Sequence, residues 1–196
     1  LRLAQEWKQK LDWGQLAEYK TELEKTGRAI KSYLYWLDQE FRPKKDYFHL
    51  RGQDNIVQYL PIGKVVVRLH PDDSLFDVLA RIAAVKIAGC RLVLSSPPGL
   101  DNSVTSFLKQ RTAHKLLAAN LIQQHSEAQL IELMPRVQRI RYAAPERVPA
   151  EVFAAAATNG FYIARAKVLM EGRIELLQYF QEQSISDNYH RYGNLG

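Results

Sequence analysis

The sequence has few of the residues from which covalent or metal-held frameworks are built. It contains one cysteine, Cys90, so no disulfide can form within the chain and no thiolate cage can hold a metal ion. The five histidines show no i, i+4 pair and no other spacing that is typical of metal ligands. We therefore expect a protein of a reducing compartment that binds no metal.

Long apolar runs are also absent. No stretch of about 18 apolar residues could span a bilayer, and no charged segment precedes an apolar one near the first residue, as in a signal peptide. With 46% hydrophobic and 24% charged residues, the composition is typical of a folded, soluble chain. These features predict a cytoplasmic protein with no membrane contact.

The length predicts one main domain with an attached element. A chain of 196 residues can bury one sizeable core but is short for two full domains. The first residue is Leu1 and not Met, so we expect a fragment or a processed product of a longer polypeptide.

Positive charge is in excess but is not concentrated. The formal net charge of +6 would allow contacts with the phosphates of a nucleic acid. Basic residues are nevertheless spread along the whole chain among acidic ones, and the densest group (Arg136, Arg139 and Arg141) has the spacing of an exposed strand face. A basic nucleic-acid-binding module stays an alternative hypothesis, but we do not expect nucleic acid as the partner.

The first part of the chain has helical periodicity. Apolar residues recur at three- and four-residue steps over residues 1–42, with Gly14 and Gly27 as interruptions. All three tryptophans (Trp7, Trp13 and Trp36) lie in this part. We predict an N-terminal helical segment over residues 1–45 that packs on the core of the same chain, with a site for an outside partner as the alternative.

A strand, a helix and a second strand follow. The apolar run of residues 65–67 is typical of a buried strand, and Ser74 can begin a helix that Gly89 ends. Residues 91–94 predict the next strand, so this segment is a βαβ unit with a right-handed connection.

Strands and helices continue to alternate. The pattern predicts helices over residues 103–124, 149–159 and 172–181, and strands over residues 137–142, 161–164 and 183–186. This alternation predicts an α/β domain over residues 46–186, with an open, mainly parallel sheet and helices on both faces.

The turn after the first strand lacks the glycines of a dinucleotide site. It reads His70, Pro71, Asp72, Asp73, and its carboxylates would repel a pyrophosphate. His70 has no partner set by spacing, so we interpret it as a surface histidine rather than a proton-transfer residue. We interpret Cys90 as an inert structural thiol. No catalytic, cofactor-binding or metal-binding residue is predicted in this chain.

Residues 187–196 form a polar and aromatic tail. A terminal segment would normally fray, yet this one concentrates aromatic and hydrogen-bonding side chains. We predict a docking tail that contacts a partner surface, with a solvated tail as the alternative. Its contact residues would be Tyr189, His190, Arg191, Tyr192 and Asn194.

Two blocks of the sequence carry a resemblance to known families. Residues 61–96 resemble the first strand, helix and second strand of the nucleotide-binding domain of aldehyde dehydrogenases. Residues 52–55 with residues 59–61, and residues 182–186 with Gly193 and Asn194, resemble the C-terminal portion of the proline utilisation A family. Members of that family join a flavin-dependent proline dehydrogenase to an NAD-dependent glutamate-semialdehyde dehydrogenase, and convert proline to glutamate by way of pyrroline-5-carboxylate.

The resemblance implies a Rossmann-like domain without catalysis of its own. In the family, this region packs on the aldehyde dehydrogenase module of the same polypeptide and helps to enclose the intermediate, while NAD and FAD bind elsewhere in the parent enzyme. Ser95 or Ser96 stands where the family has a cofactor-binding lysine, and the active cysteine and catalytic glutamate motifs are absent. A homo-oligomer and a free-standing NAD-binding dehydrogenase fragment stay open as alternatives.

Overall fold

The structure, a computed structural model, describes residues 17–110, 113 and 122–189. Six α-helices lie in this part of the chain: α1 (Lys20–Trp36), α2 (Leu75–Ile87), α3 (Ser103–Lys109), α4 (Glu127–Leu133), α5 (Ala150–Thr158) and α6 (Gly172–Glu175). Its eight strands are β1 (Lys45–Asp46), β2 (Gln53–Pro61), β3 (Lys64–Arg68), β4 (Arg91–Ser96), β5 (Gln123–Gln124), β6 (Arg139–Arg141), β7 (Ile163–Ala164) and β8 (Phe180–Asn188). A π-helical segment (Leu37–Phe41) continues α1, and a 3-10 turn (Leu176–Tyr179) joins α6 to β8.

A five-stranded parallel sheet forms the centre of the domain. Its strand order is β5-β4-β3-β6-β7, and the register pairs Val66 of β3 with Val93 of β4 and with Ile140 of β6. The chain therefore moves outward from β3 to β4 and β5, returns to β6 beside β3, and continues outward to β7. This is the doubly wound arrangement that the alternating elements predict.

Alternation along β3 divides the core into two layers. Val65 and Val67 pack with residues of α1 and α2 on one face, whereas Val66 packs with residues of α4 and α5 on the other. Val65, Val66 and Val67 are all completely buried. Helices thus cover both faces, which confirms the predicted fold class.

The central helix α2 begins and ends as its sequence indicates. The Ser74 side chain accepts a hydrogen bond from the Asp77 amide, and the Asp77 side chain accepts one from the Ser74 amide, which forms a capping box. Beyond the helix, Gly89 has a φ of +78°, a left-handed conformation that glycine adopts without strain. Helix α1 lies against α2 and α6 on this face of the sheet.

A second sheet has a different character. Strand β2 pairs antiparallel with β1 on one side and with β8 on the other, and the β2–β8 ladder runs from Gln53↔Asn188 to Pro61↔Phe180. Only Phe180 of β8 is buried, and the other eight residues of the strand are exposed. This three-stranded ribbon therefore extends from the body of the domain.

Several local predictions are wrong. Helix α1 runs without interruption through Gly27, because its apolar stripe packs on α2 and α6. Residues 123 and 124, predicted as helical, form β5. The strand predicted over residues 183–186 exists but belongs to the antiparallel ribbon and not to the parallel sheet.

The basic group at β6 also differs from the prediction. Arg136 is exposed, but Arg141 is completely buried and Arg139 is partly buried. These two side chains lie on the sheet face that α1 and α2 cover, where Arg141 pairs with Glu175 and Arg139 donates to the carbonyl of Gln178. Internal partners hold them, so they do not form an exposed basic face. Trp7 and Trp13 lie outside the described residues.

Candidate functional site

The topology places a crevice between the carboxyl ends of β3 and β6. In a doubly wound sheet, ligands bind where neighbouring strands are followed by connections that leave in opposite directions. Here β3 leads to α2, and β6 leads to α5 on the opposite face. The residues that follow these two strands and the first turn of α2 therefore form the candidate site.

A buried arginine occupies this crevice. Arg81 extends from α2, is completely buried, and donates hydrogen bonds to the carbonyls of Arg68 (2.8 Å) and Arg141 (3.1 Å), the last residues of β3 and β6. Its Nη2 atom also pairs with the carboxylate of Asp73. Arg81 thus joins the two strand ends at the point where a ligand would enter.

Arg147 closes the site from the other side. Its Nη1 atom lies 2.7 Å from Asp73 Oδ1 and 3.0 Å from Asp77 Oδ2. The Asp73 side chain is only 1% exposed. Two arginines and two aspartates therefore balance each other's charge in a connected network, and each buried charge has a partner.

The chain's own acceptors bind two amides in the first turn of α2. The Phe76 amide donates to Glu22 Oε2 of α1 (2.8 Å), and the Asp77 amide donates to Ser74 Oγ (3.1 Å). Free amides at this position are what makes a helix N-terminus attractive to a phosphate. Glu22, Asp73 and Asp77 instead surround the turn with negative charge.

The antiparallel ribbon presents an organised and partly apolar end. In the loop of residues 47–52, Tyr47, Phe48 and Leu50 are 58%, 69% and 50% exposed. Asp46 holds this loop, since its Oδ1 atom accepts hydrogen bonds from the amides of Phe48 (2.9 Å) and His49 (3.0 Å). These amides lower the pKa of the Asp46 carboxyl.

At the other end of the ribbon, a groove of about 550 Å³ lies against the body of the domain. Aromatic and aliphatic side chains dominate its walls, and three charged residues stand among them. The lining residues are Trp36, Glu40, Phe41, Tyr59, Glu171, Arg173, Ile174 and Leu177.

Comparison with known proteins gives matches among solved structures. Proline Utilization A from Corynebacterium freiburgense matches with a TM-score of 0.55 and 24% identity over 87% of this chain and 14% of its own. Succinate-semialdehyde dehydrogenase from Burkholderia pseudomallei matches with a TM-score of 0.51 and 16% identity over 76% of this chain and 32% of its own. Lactaldehyde dehydrogenase from Escherichia coli matches with a TM-score of 0.53 and 16% identity over 76% of this chain and 31% of its own.

The chain has an aldehyde dehydrogenase-type fold. It shares this fold with Proline Utilization A, as the sequence resemblance predicts. It spans about a third or less of the length of these three matched chains. No protein-family model and no curated protein sequence matches it.

The aldehyde dehydrogenase fold implies a nicotinamide dinucleotide, and the residues present do not fit that cofactor. A pyrophosphate between β3 and β6 would have to displace Arg81 from two strand carbonyls and would meet Asp73 and Asp77. Ser95 is completely buried; its Oγ atom accepts a hydrogen bond from Arg68 Nη1 (2.8 Å) and lies 3.0 Å from His125 Nδ1. Ser95 is thus part of an internal cluster and does not reach toward a cofactor.

The sequence-predicted residues fall in different places. His70 is partly exposed, and its Nδ1 atom accepts a hydrogen bond from the Asp72 amide (3.2 Å). Cys90 is buried, and burial raises the pKa of its thiol. Tyr189 is 58% exposed at the end of β8, and its amide donates to the carbonyl of Gly52. The other predicted tail contacts (His190, Arg191, Tyr192 and Asn194) lie outside the described residues.

Sequence reasoning missed the network around Arg81. A signal for it was present, because Arg81 stands between apolar residues in the middle of α2, four residues after Asp77 and eight after Asp73. Such spacing places the three side chains near one another along a helix. Arg147 had no comparable signal, since only the tertiary structure brings it to α2.

Among residues 17–110, 113 and 122–189, no group of three His, Cys, Asp or Glu side chains could hold a metal ion. None of the helices in the described part of the chain is long and apolar enough to cross a membrane.

Proposed function

We propose that the chain is a noncatalytic docking domain of a bifunctional, cytoplasmic enzyme that oxidises proline to glutamate. In this proposal it packs on the NAD-dependent aldehyde dehydrogenase module of the same polypeptide and helps to enclose the semialdehyde intermediate. NAD and FAD bind to the other modules. The structural likeness to Proline Utilization A supports the context.

The exposed ribbon is the observation that carries the proposal. Among the described residues, no strand pairs with the outer edge of β8. That edge is nine residues long, contains no proline or lysine, and includes Ile185, which is 41% exposed. Its charged residues are Glu182 and Asp187. An edge strand without proline or lysine can accept a strand from another chain.

Two hydrogen bonds show which backbone groups of β8 face away from β2 and are available to pair with an added strand. The carbonyl of Tyr179 accepts from Ile62, and the amide of Tyr189 donates to Gly52, so both residues direct their backbone toward the β2 side. Backbone groups alternate in direction along a strand. Odd-numbered residues of β8 therefore face β2, and residues 182, 184, 186 and 188 face outward.

The closed crevice explains why we assign no catalysis to the chain. The Arg81–Asp73 pair and Arg147 fill the crevice in which a doubly wound sheet would bind a dinucleotide phosphate, and this supports the assignment. Calorimetric titration of the chain with NAD should show no saturable binding up to about 1 mM. Micromolar binding would favour the alternative, a free-standing NAD-binding dehydrogenase fragment.

A proline at position 184 tests the docking edge. Ser184→Pro removes one outward N–H group and leaves the ladder to β2 intact, because its amide faces away from β2. In the full polypeptide that carries this chain, we expect semialdehyde-dependent NADH formation to fall at least tenfold, while proline oxidation at the flavin stays unchanged. Ser184→Ala is the matched control, because it changes the same side chain and keeps the amide.

The tail is tested in the same assay. Deleting residues 189–196 should impair semialdehyde oxidation or transfer of the intermediate and leave proline oxidation nearly intact. If Ser184→Pro and the deletion both keep full activity in both half-reactions and in the coupled reaction, the docking proposal is wrong. Sedimentation of the same variants separates docking within one polypeptide from assembly of two copies, since only the second would change the mass of the particle.

A further inference from the structure

Four neighbouring strand ends each contribute one polar side chain to the same face of the parallel sheet. Arg68 ends β3 on the face that carries Val66, and Ser95 is its register partner in β4. His125 follows β5, and Tyr142 follows β6. These residues lie at the carboxyl edge, on the face opposite α2, so they are separate from the Arg81 network.

Arg68 is a buried cation that binds only neutral acceptors. It is 4% exposed, and its Nη1 atom donates to Ser95 Oγ (2.8 Å) and to the carbonyl of His125 (2.9 Å). Within the described ranges, no carboxylate lies within salt-bridge distance of its guanidinium. Arg81 and Arg141, the other fully buried arginines, each pair with a carboxylate.

Tyr142 supplies a second group without a partner. It is 1% exposed, and its hydroxyl makes no hydrogen bond with any residue that the structure describes. The register pairs Val67 of β3 with Arg141 of β6, so Tyr142 follows β6 beside Arg68, the last residue of β3. The charges of Arg68 and Glu127 both act on this hydroxyl. A buried hydroxyl without a partner is destabilising, so an acceptor is expected at this position.

The chemistry of the cluster indicates what that acceptor is. The Arg68 guanidinium and the Tyr142 hydroxyl are both donors, and the charge of Arg68 is uncompensated. Glu127 is exposed on the first turn of α4, where water screens its charge. His125 is only partly buried, so solvent reaches the cluster on its side. A small anion with several acceptor oxygens would satisfy both donors.

We propose that Arg68 and Tyr142, with Ser95 and His125 beside them, form a binding site for a small oxyanion, either a carboxylate or a phosphate. This proposal does not depend on the docking function, because it concerns only the carboxyl edge of this domain. It also differs from a dinucleotide site, since the first turn of α2 takes no part in it.

Thermal unfolding of the chain in different anions tests the site. A ligand that binds only the folded state raises the melting temperature. At equal ionic strength and pH 7, we expect sodium phosphate or sodium acetate to raise it relative to sodium chloride. Arg68→Met and Tyr142→Phe should each remove most of this increment, and calorimetry should show at least tenfold weaker anion binding.

Arg91→Met is the matched control, because Arg91 is exposed and lies at the opposite end of the neighbouring strand β4. This variant should keep the full increment. For each variant, the increment is the difference between its melting temperature in phosphate or acetate and its melting temperature in chloride. A change in the variant's basal stability therefore does not affect the comparison. If Arg68→Met unfolds, Tyr142→Phe alone decides, since it removes only one hydroxyl.

The anions themselves distinguish the sources of the ligand. A larger increment with acetate indicates a carboxylate, and a larger one with inorganic phosphate indicates a phosphate. Binding of AMP without binding of either small anion would overturn the proposal, because it would require contacts outside the cluster. Equal melting temperatures in all three salts, or equal increments in the wild-type chain and Arg68→Met, would also overturn it.

Discussion

Replacement of one buried carboxylate should destabilise the whole domain. Glu175 at the end of α6 is 1% exposed and accepts hydrogen bonds from Arg141 Nη2 (2.8 Å), the Tyr179 hydroxyl (2.9 Å) and the Leu169 amide (3.0 Å). Tyr33 of α1 donates to the carbonyl of Leu169. Glu175 therefore connects the parallel sheet, the start of the ribbon and the outer helix.

The size of the effect follows from the charge that remains. Glu175→Gln keeps the shape and one acceptor oxygen but leaves the Arg141 guanidinium buried without a carboxylate. Removal of one partner of a buried ion pair costs about 3–5 kcal/mol. For a domain of this size, each kcal/mol lowers the melting temperature by about 2–4 °C, so we expect a decrease of about 10 °C.

Urea unfolding followed by circular dichroism measures this difference. The midpoint should decrease while the m-value stays constant, because the surface exposed on unfolding is unchanged. Asp38→Asn is the control, since it removes the charge of a carboxylate that pairs with Arg42 on the exposed surface. That change should cost less than about 0.5 kcal/mol.

A loss of less than about 1 kcal/mol for Glu175→Gln would refute the reasoning. A second test uses the pair together, because Glu175→Leu with Arg141→Met removes both charges. The double variant should lose clearly less than the sum of the two single variants. Additive losses would mean that the two side chains act independently.

Two further predictions concern backbone packing and pH. Gly172→Ala would place a Cβ atom 2.6 Å from the backbone oxygen of Ser32 and should destabilise the domain by about 1–3 kcal/mol. A Cβ atom at Gly27 would meet no atom within 4 Å, so Gly27→Ala should stabilise α1 by about 0.5–1 kcal/mol. Urea unfolding of both variants measures the two changes, and equal effects would contradict the prediction. Burial raises the pKa of Tyr142 from 10.0 to about 12. Above pH 10 the unfolded chain releases this proton and the folded chain keeps it, so the free energy of unfolding should fall by up to about 1.4 kcal/mol per pH unit. Tyr142→Phe should reduce that slope, and an unchanged slope would count against the pKa of Tyr142 as its cause.

The sequence predicts the parallel sheet well because each of its signals is local. Three consecutive valines before a helix start indicate a buried strand, and Ser74 and Gly89 mark the two ends of α2. The resemblance in residues 61–96 falls on this same unit. The fold class could therefore be inferred without any knowledge of long-range contacts.

The ribbon could not be predicted as a unit because its strands are far apart in the chain. Gln53 and Asn188 are register partners although 135 positions separate them in sequence. The segment over residues 183–186 has strand-like composition, but composition does not specify the strand with which it pairs. Its place in the second sheet, and the free edge on which the docking proposal rests, are properties of the tertiary structure.

For the charged side chains, too, the sequence predicts only a part of what the tertiary structure shows. Their number is read from the sequence, but their environment depends on which elements come together. Arg141 was expected on an exposed face and is buried, because Glu175 arrives from a distant helix to pair with it. The sequence also shows that the turn after β3 lacks glycine and carries carboxylates, and on this basis it predicts no dinucleotide site there.

Local signals alone determined the alternating elements, the α/β class and the absence of a glycine-rich phosphate loop, because each depends on residues within a few positions of one another. Only the tertiary structure decided that Arg81 and Arg147 lie in the crevice and that, among the residues that the structure describes, β8 has an unpaired edge and Arg68 has no carboxylate partner. The physical reason is that an ion pair, an unpaired strand edge or an uncompensated charge is defined by neighbours in space, which a single sequence does not specify.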